Sequence, residues 1–264
     1  MYEPQIRFIL NGNYIFKSTG KVFTGEHLIQ YNAGEFLFDS EKIDSHELIF
    51  SPENYETASF DLLDVTIGIN FHWERKEVQR FKGSLQFITE DNKLTAINLL
   101  PLEDYLVSVI SSEMSATSSI ELLKAHAVIS RSWLLAQVVK GNELKASKSQ
   151  YNPVFESDTA YIRWYDREDH IHFDVCADDH CQRYQGITRQ TSLLVEEAIR
   201  ETLGMVLMHD GKICDARFSK SCGGIAETFE NVWEPVQHPY LQALNDNDGN
   251  NGEWDRGLTN ETAA

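Results

Sequence analysis

Hydrophobic periodicity changes once along this chain, and that change constrains the fold more than any other feature. Up to about residue 98, apolar and polar residues alternate, a period of two that sends every second side chain to one face of a strand. Gln5–Leu10, Tyr14–Ser18, Val22–Thr24, Leu28–Tyr31, Phe36–Phe38, Leu48–Ser51, Asp64–Phe71, Ser84–Thr89 and Leu94–Leu99 read as strands. Asn11-Gly12-Asn13 and Glu90-Asp91-Asn92 read as turns, and the charged, aromatic run from Phe71 to Glu77 as a connection. From Pro101 onward the period is helical. Pro101 suits a first helical position, and Leu102, Tyr105, Leu106, Val109 and Ile110 share one face. Ser111-Ser112-Glu113-Met114-Ser115 interrupts that helix. A second helix is expected from near Ser118, where Ser118 and Glu121 form a capping box, to about Val139, with Gly141-Asn142 as its stop. A third is expected over Ser192–Leu203, ended by Gly204. Met205–Met208 and Lys212–Ser219 are expected to pair as a hairpin about Asp210-Gly211, a dipeptide that tolerates positive φ. Between residues 142 and 186 no regular period stands out. The expected class is α+β: a β-rich amino-terminal part (1–98) packed with a helical segment and a late β-hairpin (99–264). The boundary near 98 is soft and could equally be internal to one body.

Composition narrows the function classes. The chain has 264 residues, of which 42% are hydrophobic, too many for a largely disordered chain. Its formal net charge of −18 excludes a non-specific nucleic-acid binder, which needs a basic footprint against the phosphates. No apolar run approaches the ~18 residues of a membrane span. The start, Met1-Tyr2-Glu3-Pro4, lacks a basic, then apolar, export signal, and the polar, Asn/Gly/Asp-rich end looks cut.

Two places could carry chemistry. Glu113 stands at a helix junction among hydroxyl residues and Met114; its simplest role would be a charge meeting the dipole of the next helix. The run from Asp169 to Gln182 holds Cys176, Cys181, His170, His172 and His180. Thiolates and imidazoles this dense suit tetrahedral zinc, although a local Cys176–Cys181 disulfide or plain thiols would fit the spacing as well. Cys214 and Cys222 could be free or paired.

Larger motifs make the reading specific. Leu102-Glu103-Asp104-Tyr105-Leu106, then Ser112-Glu113-Met114, then Leu122-Leu123-Lys124-Ala125-His126-Ala127-Val128-Ile129-Ser130-Arg131-Ser132-Trp133 resemble the core motif of the SpoIID/LytB family. His126 stands where that motif usually has Gln, and Trp133 where it usually has Tyr. Ala216-Arg217-Phe218-Ser219-Lys220-Ser221-Cys222-Gly223-Gly224, followed by Glu227-Thr228, Val232-Trp233 and Pro239-Tyr240-Leu241, resembles the family's second block, so the likeness covers at least residues 83–243.

The resemblance implies a lytic transglycosylase acting on peptidoglycan glycan strands stripped of stem peptides, with Glu113 as the acid and base that leaves 1,6-anhydroMurNAc ends. Some members are instead named as enhancers of cell-wall amidases, so an amidase is the alternative partner. A general acid near neutral pH must keep its proton, so Glu113 is expected against apolar groups such as Met114. The resemblance also implies zinc, structural in role, held best by His170, Cys176 and Cys181, with His180 and His172 as substitutes. Lys124 and Arg131 lie two turns apart on one helix face. With Lys220 they are candidates to meet the lactyl carboxylate of MurNAc, against the alternative of a solvated face. Phe218, where many members have Tyr, is a further substrate candidate. With a wall substrate, the missing export signal is expected to mean a trimmed protein of the cell envelope.

Overall fold

The computed structural model describes residues 3–32, 34–43, 48–69, 71–90, 92–146, 154–163, 170, 172–177, 180–189, 192–219, 222 and 224–245. The chain divides into two compact units, Met1–Ala127 with Val175–Leu203 and Val128–Asp174 with Gly204–Ala264. Residue 98 therefore lies inside the first unit. The fold is α+β, as the change of period predicts.

The first unit is built on a nine-stranded sheet. Its strands are β1 (Gln5–Phe16), β2 (Val22–Asn32), β3 (Glu35–Phe38), β4 (Glu41–Ile43), β5 (Leu48–Pro52), β6 (Ser59–Ile67), β7 (Arg75–Phe81), β8 (Ser84–Glu90) and β9 (Lys93–Leu99). The order is β4-β3-β2-β1-β5-β8-β9, and β6 pairs with both β1 and β7. Every pairing is antiparallel. On one edge β1 pairs with β2. On the other it meets β6 through Phe8–Asn11 and β5 through Tyr14–Phe16.

One buried face carries an aromatic core. Ring centroids are 5.1 Å apart for Phe8 and Phe87, 5.0 Å for Phe16 and Phe50, and 5.5 Å for Phe38 and Phe50. Fully burying each such side chain stabilises by about 1.5–3 kcal/mol.

Three strand expectations are corrected. Asn11-Gly12-Asn13 is not a turn: β1 runs through it, with its register shifting between Leu10 and Tyr14. Gly12, at φ +110°, lets the bulged strand pass Ala58, whose Cβ would lie 3.2 Å from an added one. Val22–Thr24 and Leu28–Tyr31 likewise join into the single strand β2. The run taken as a connection contains the start of β7, while β6 begins at Ser59 and ends at Ile67. In β7 the inward positions are Gln79 and Phe81, whereas Val78 is 54% exposed. The polar Gln79 inside and the apolar Val78 outside therefore hide the strand's true faces.

Helices follow the sheet in sequence. α1 (Leu102–Glu113) opens after Pro101, whose extended ψ of 147° makes it the flanking residue and not the first helical one. α2 (Ile120–Ala146) begins one residue after Ser119, whose Oγ accepts the Leu122 N–H at 3.4 Å. Its cap is thus Ser119 and not Ser118. It passes through Gly141, because a lone glycine costs only ~1 kcal/mol in a helix and does not end it. α3 (Leu193–Glu201) is capped by Ser192, whose Oγ accepts the Leu194 N–H at 3.2 Å.

Among the described residues, the second unit contains most of α2 and three short two-stranded antiparallel sheets. β10 (Val154–Glu156) and β11 (Tyr161–Arg163) pair where no regular period was visible. β12 (Met208–His209) and β13 (Lys212–Ile213) form the expected hairpin, shorter than predicted, about Asp210 at φ 47° and Gly211 at φ 74°. β14 (Ile225–Ala226) pairs with β15 (Leu244–Asn245), and α4 (Phe229–Val232) lies between them in sequence. Trp133, Leu134, Cys214, Ala216 and Phe229 are buried. The Arg217 guanidinium sits 4.5 Å from the Trp233 ring centroid, and its Nε donates to Asp215 at 2.9 Å. Among the described residues, no helix is long and apolar enough to cross a membrane.

Candidate functional site

The site in the first unit starts from α1. Glu103 and Asp104 occupy its first turn, where negative charge favours the helix. Tyr105, Leu106, Ser108, Val109 and Ile110 form its buried face. Glu113 is the last residue of α1, and Met114 turns the chain into extended conformation. Glu113 therefore does not stand at the amino end of a helix, and the dipole role weighed for it does not apply.

Residues 182–185 are strapped along α1 by hydrogen bonds that alternate between side chain and backbone. The Tyr105 hydroxyl donates to Gln182 Oε1 at 3.3 Å. The Arg183 N–H donates to Glu113 Oε1 at 2.7 Å, and the Gln185 N–H to Ser108 Oγ at 3.0 Å. Tyr184 stacks on Tyr105, with centroids 5.0 Å apart and planes 18° from parallel, and its hydroxyl donates to Asn98 at the end of β9.

The strap then turns through a 3₁₀ helix, Gly186–Arg189, against β7. Thr188 Oγ1 accepts the Arg80 N–H at 2.7 Å. Gly186, at φ +60°, is required there, because a Cβ would lie 2.1 Å from the Arg80 carbonyl oxygen. The half-buried Glu113 thus meets a backbone amide, a polar partner that its expected apolar setting did not include. Beside it, the Ser111 and Ser112 hydroxyls are buried with no hydrogen-bond partner among the described residues.

The histidine and cysteine candidates lie just upstream of the strap. Of the expected ligands, Cys176, His180 and Cys181 belong to the first unit and His170 to the second. In the first unit, ligand atoms of Cys176, His180 and Cys181 lie within 4.8 Å of one another, and Cys181 Sγ is 3.5 Å from His180 Nδ1. Two thiols and imidazole form a soft donor set that fits zinc. None of the four cysteines is in a disulfide, so neither a Cys176–Cys181 bridge nor a Cys214–Cys222 bridge is present. His170 stacks on Phe173 with centroids 4.6 Å apart, while His172 is exposed and outside the group.

Tyr105 connects the two candidates. Its hydroxyl is held far above the ordinary tyrosine range, first by burial and then by the negative potential of Cys181, Tyr184, Cys176 and Glu113.

The cationic candidates are placed differently from one another. Lys124 is clamped between Glu201 at 2.6 Å and Glu121 at 3.0 Å, which raises its affinity for its proton, Glu201 contributing most. Arg131 is 1% exposed and donates to the Met205 carbonyl at 3.0 Å. It is a strut inside the second unit, with its guanidinium in the interior. Phe218 is half-buried, and Lys220 lies outside the described residues. Sequence reasoning missed Tyr105, Ser108 and the strap, because a strap held by alternating polar bonds leaves no hydrophobic period.

Together these features define an α+β domain with a helix-borne carboxylate beside a soft-ligand group. Residues 90–209 match the SpoIID family, described as stage II sporulation protein. Over 161 residues, 61% of this chain and 36% of the relative, the sequence is 30% identical to an uncharacterised protein of Brachyspira hyodysenteriae. Over 150 residues, 56% of this chain and 39% of the relative, it is 25% identical to the stage II sporulation protein D of Bacillus subtilis. The protein of that name from Bacillus amyloliquefaciens is 25% identical over 149 residues. The chain spans a little over a third of the length of these curated relatives. The likeness to the SpoIID family thus lies in residues 90–209, a little under half of the chain.

Proposed function

We propose that this protein acts on the bacterial cell wall as a lytic transglycosylase, cleaving the glycan strands of peptidoglycan with Glu113 as general acid and then base. The observation that supports the reading is Glu113 itself, within the residues that match the SpoIID family, half-buried at the end of α1 with one carboxyl oxygen fixed by the Arg183 N–H. Its other oxygen has no hydrogen bond among the described residues. Protonated, that oxygen donates to the glycosidic oxygen as the bond to MurNAc C1 breaks. The resulting carboxylate takes the proton of the C6 hydroxyl as O6 closes on C1. One bond breaks, one forms, the proton returns to Glu113, and no water is consumed. Such a substrate would place the working protein in the cell envelope.

The soft donor set of the first unit supports zinc held by Cys176, Cys181 and His180. When bound, the metal would cross-link the residues leading into the strap, a structural contribution. Chelation is then expected to lower the thermal midpoint while refolded, chelated protein still cleaves glycan. Loss of cleavage with an unchanged melting curve would instead point to a metal-activated water.

The Arg183 contact also favours a second reading, in which Glu113 only anchors the strap and the protein is a wall-binding enhancer of an amidase. Glu113→Gln separates the two, since glutamine keeps an acceptor for Arg183 but cannot shuttle the proton. Digestion of peptide-free glycan, read by mass spectrometry, should give anhydro products from the wild type. In the variant their rate should fall by about 10²–10⁴-fold. Undiminished anhydro product, or product carrying an added water, would overturn the transglycosylase reading.

A further inference from the structure

The tip between β6 and β7 presents apolar surface that the sheet has no use for. Phe71 is 61% exposed, Ile69 42% and Trp73 39%. The exposure is nevertheless ordered. Phe71 and Trp73 stack with planes 16° from parallel and centroids 5.4 Å apart. The Phe71 N–H donates to the Gly68 carbonyl at 2.9 Å, and the Glu74 N–H to the Phe71 carbonyl at 3.0 Å. The Trp73 ring lies directly on Gly68, where an added Cβ would be 2.3 Å from two ring carbons. Two flat side chains are thus held in one orientation at a solvent-facing turn. A ligand stacking there would lose little freedom of theirs. The tip precedes residues 90–209, so the family match does not include it.

Size and charge narrow the occupant. Three side chains offer a few hundred Å² at most, well short of the ~800 Å² per partner of a stable protein interface. An anionic membrane surface would require basic flanks. The flanking residues Glu74, Arg75, Lys76 and Glu77 sum to zero, Arg75 is paired to Glu77 at 2.6 Å, and the chain as a whole carries −18. A sugar ring needs neither area nor charge: the C–H face of a pyranose stacks on a single aromatic ring.

We propose that Phe71 and Trp73 form an accessory carbohydrate-binding platform for the glycan of the cell wall, separate from Glu113. The identity of that glycan rests on the function proposed above; the platform's affinity for saccharide does not depend on whether Glu113 cleaves. The test is co-sedimentation of the full chain with insoluble peptidoglycan and with chitin, alongside neutral and anionic lipid vesicles. Wild-type and Glu113→Gln protein should sediment alike with at least one glycan. Phe71→Ala and Trp73→Ala should each bind roughly ten-fold more weakly, the scale of an aromatic contact, with unchanged melting curves. Gly68→Ala should weaken binding while both aromatic residues remain, because the new methyl displaces the Trp73 ring. Retention unchanged in the Phe71 and Trp73 variants would overturn the proposal. So would failure of the wild type to bind either glycan, or tip-dependent binding to vesicles alone. Failure of cleavage with tip-dependent glycan binding intact would overturn the transglycosylase reading and leave the platform standing.

Discussion

His126 carries a stability consequence that can be worked out from its burial alone. It is buried in α2, and desolvation pulls its imidazole from 6.5 down to about 4. Above pH 6.5 neither folded nor unfolded chain protonates this residue, so it adds no pH dependence there. As the pH falls below 6.5 the unfolded chain takes up a proton that the folded chain refuses until about pH 4. The unfolded state then binds more protons, so stability falls with pH across that window and levels off below it. The gap amounts to about 3 kcal/mol. Denaturation measured from pH 7 to pH 4 should show this loss, and His126→Gln should flatten the profile; identical profiles would remove His126 as its source. At the same scale, Glu113 was legible because it sits in a spaced motif, whereas its amide partner on Arg183 was not. A backbone donor has no residue-type signature. Arg131 was misleading for a related reason: its place on a helix face said nothing of the Met205 carbonyl that holds it inside.

Among the elements, the strap from Gln182 to Arg189 depends on one glycine. Gly186→Ala would set a methyl 2.1 Å from the Arg80 carbonyl oxygen and 2.6 Å from Phe81 Cδ1. The strap must then leave β7 or β7 must move, at a cost on the order of 3 kcal/mol. Gly204→Ala is the matched control: it too has positive φ, at +70°, but nothing lies within 4 Å of an added Cβ, so about 1 kcal/mol is expected. Chemical denaturation of the two variants measures the difference, and equal costs would mean that backbone strain alone, and not the approach to Arg80, fixes the glycine. Elements with strong local signals were legible: α1 by its apolar face, α3 by its Gly204 stop, the late hairpin by Asp210-Gly211. Those set by tertiary contact were not. β7 needed knowledge that Gln79 faces inward. The continuity of β1 needed Ala58 opposite Gly12, a contact between distant residues.

For the whole molecule, period and composition were enough to specify α+β. They could not show that the chain leaves the first unit at Ala127 and re-enters it at Val175. That return brings the strap and its cysteines to α1, so the candidate site is a product of chain topology as much as of motif. The charge of −18 is compatible with a site that relies on hydrogen bonds and stacking in place of an array of open cations. Lys124 is committed to Glu201 and Glu121, and Arg131 to the interior.

The split edge of β1 has a consequence for how the sheet tolerates damage. Because one strand bonds to β2 on one side and to both β5 and β6 on the other, it acts as the keystone of the sheet. Trimming an outer strand such as β4 severs one short ladder, while any change that straightens the bulge at Gly12 puts three ladders out of register together. Evolutionary drift should therefore be broad at the rim of this sheet and narrow along its first strand.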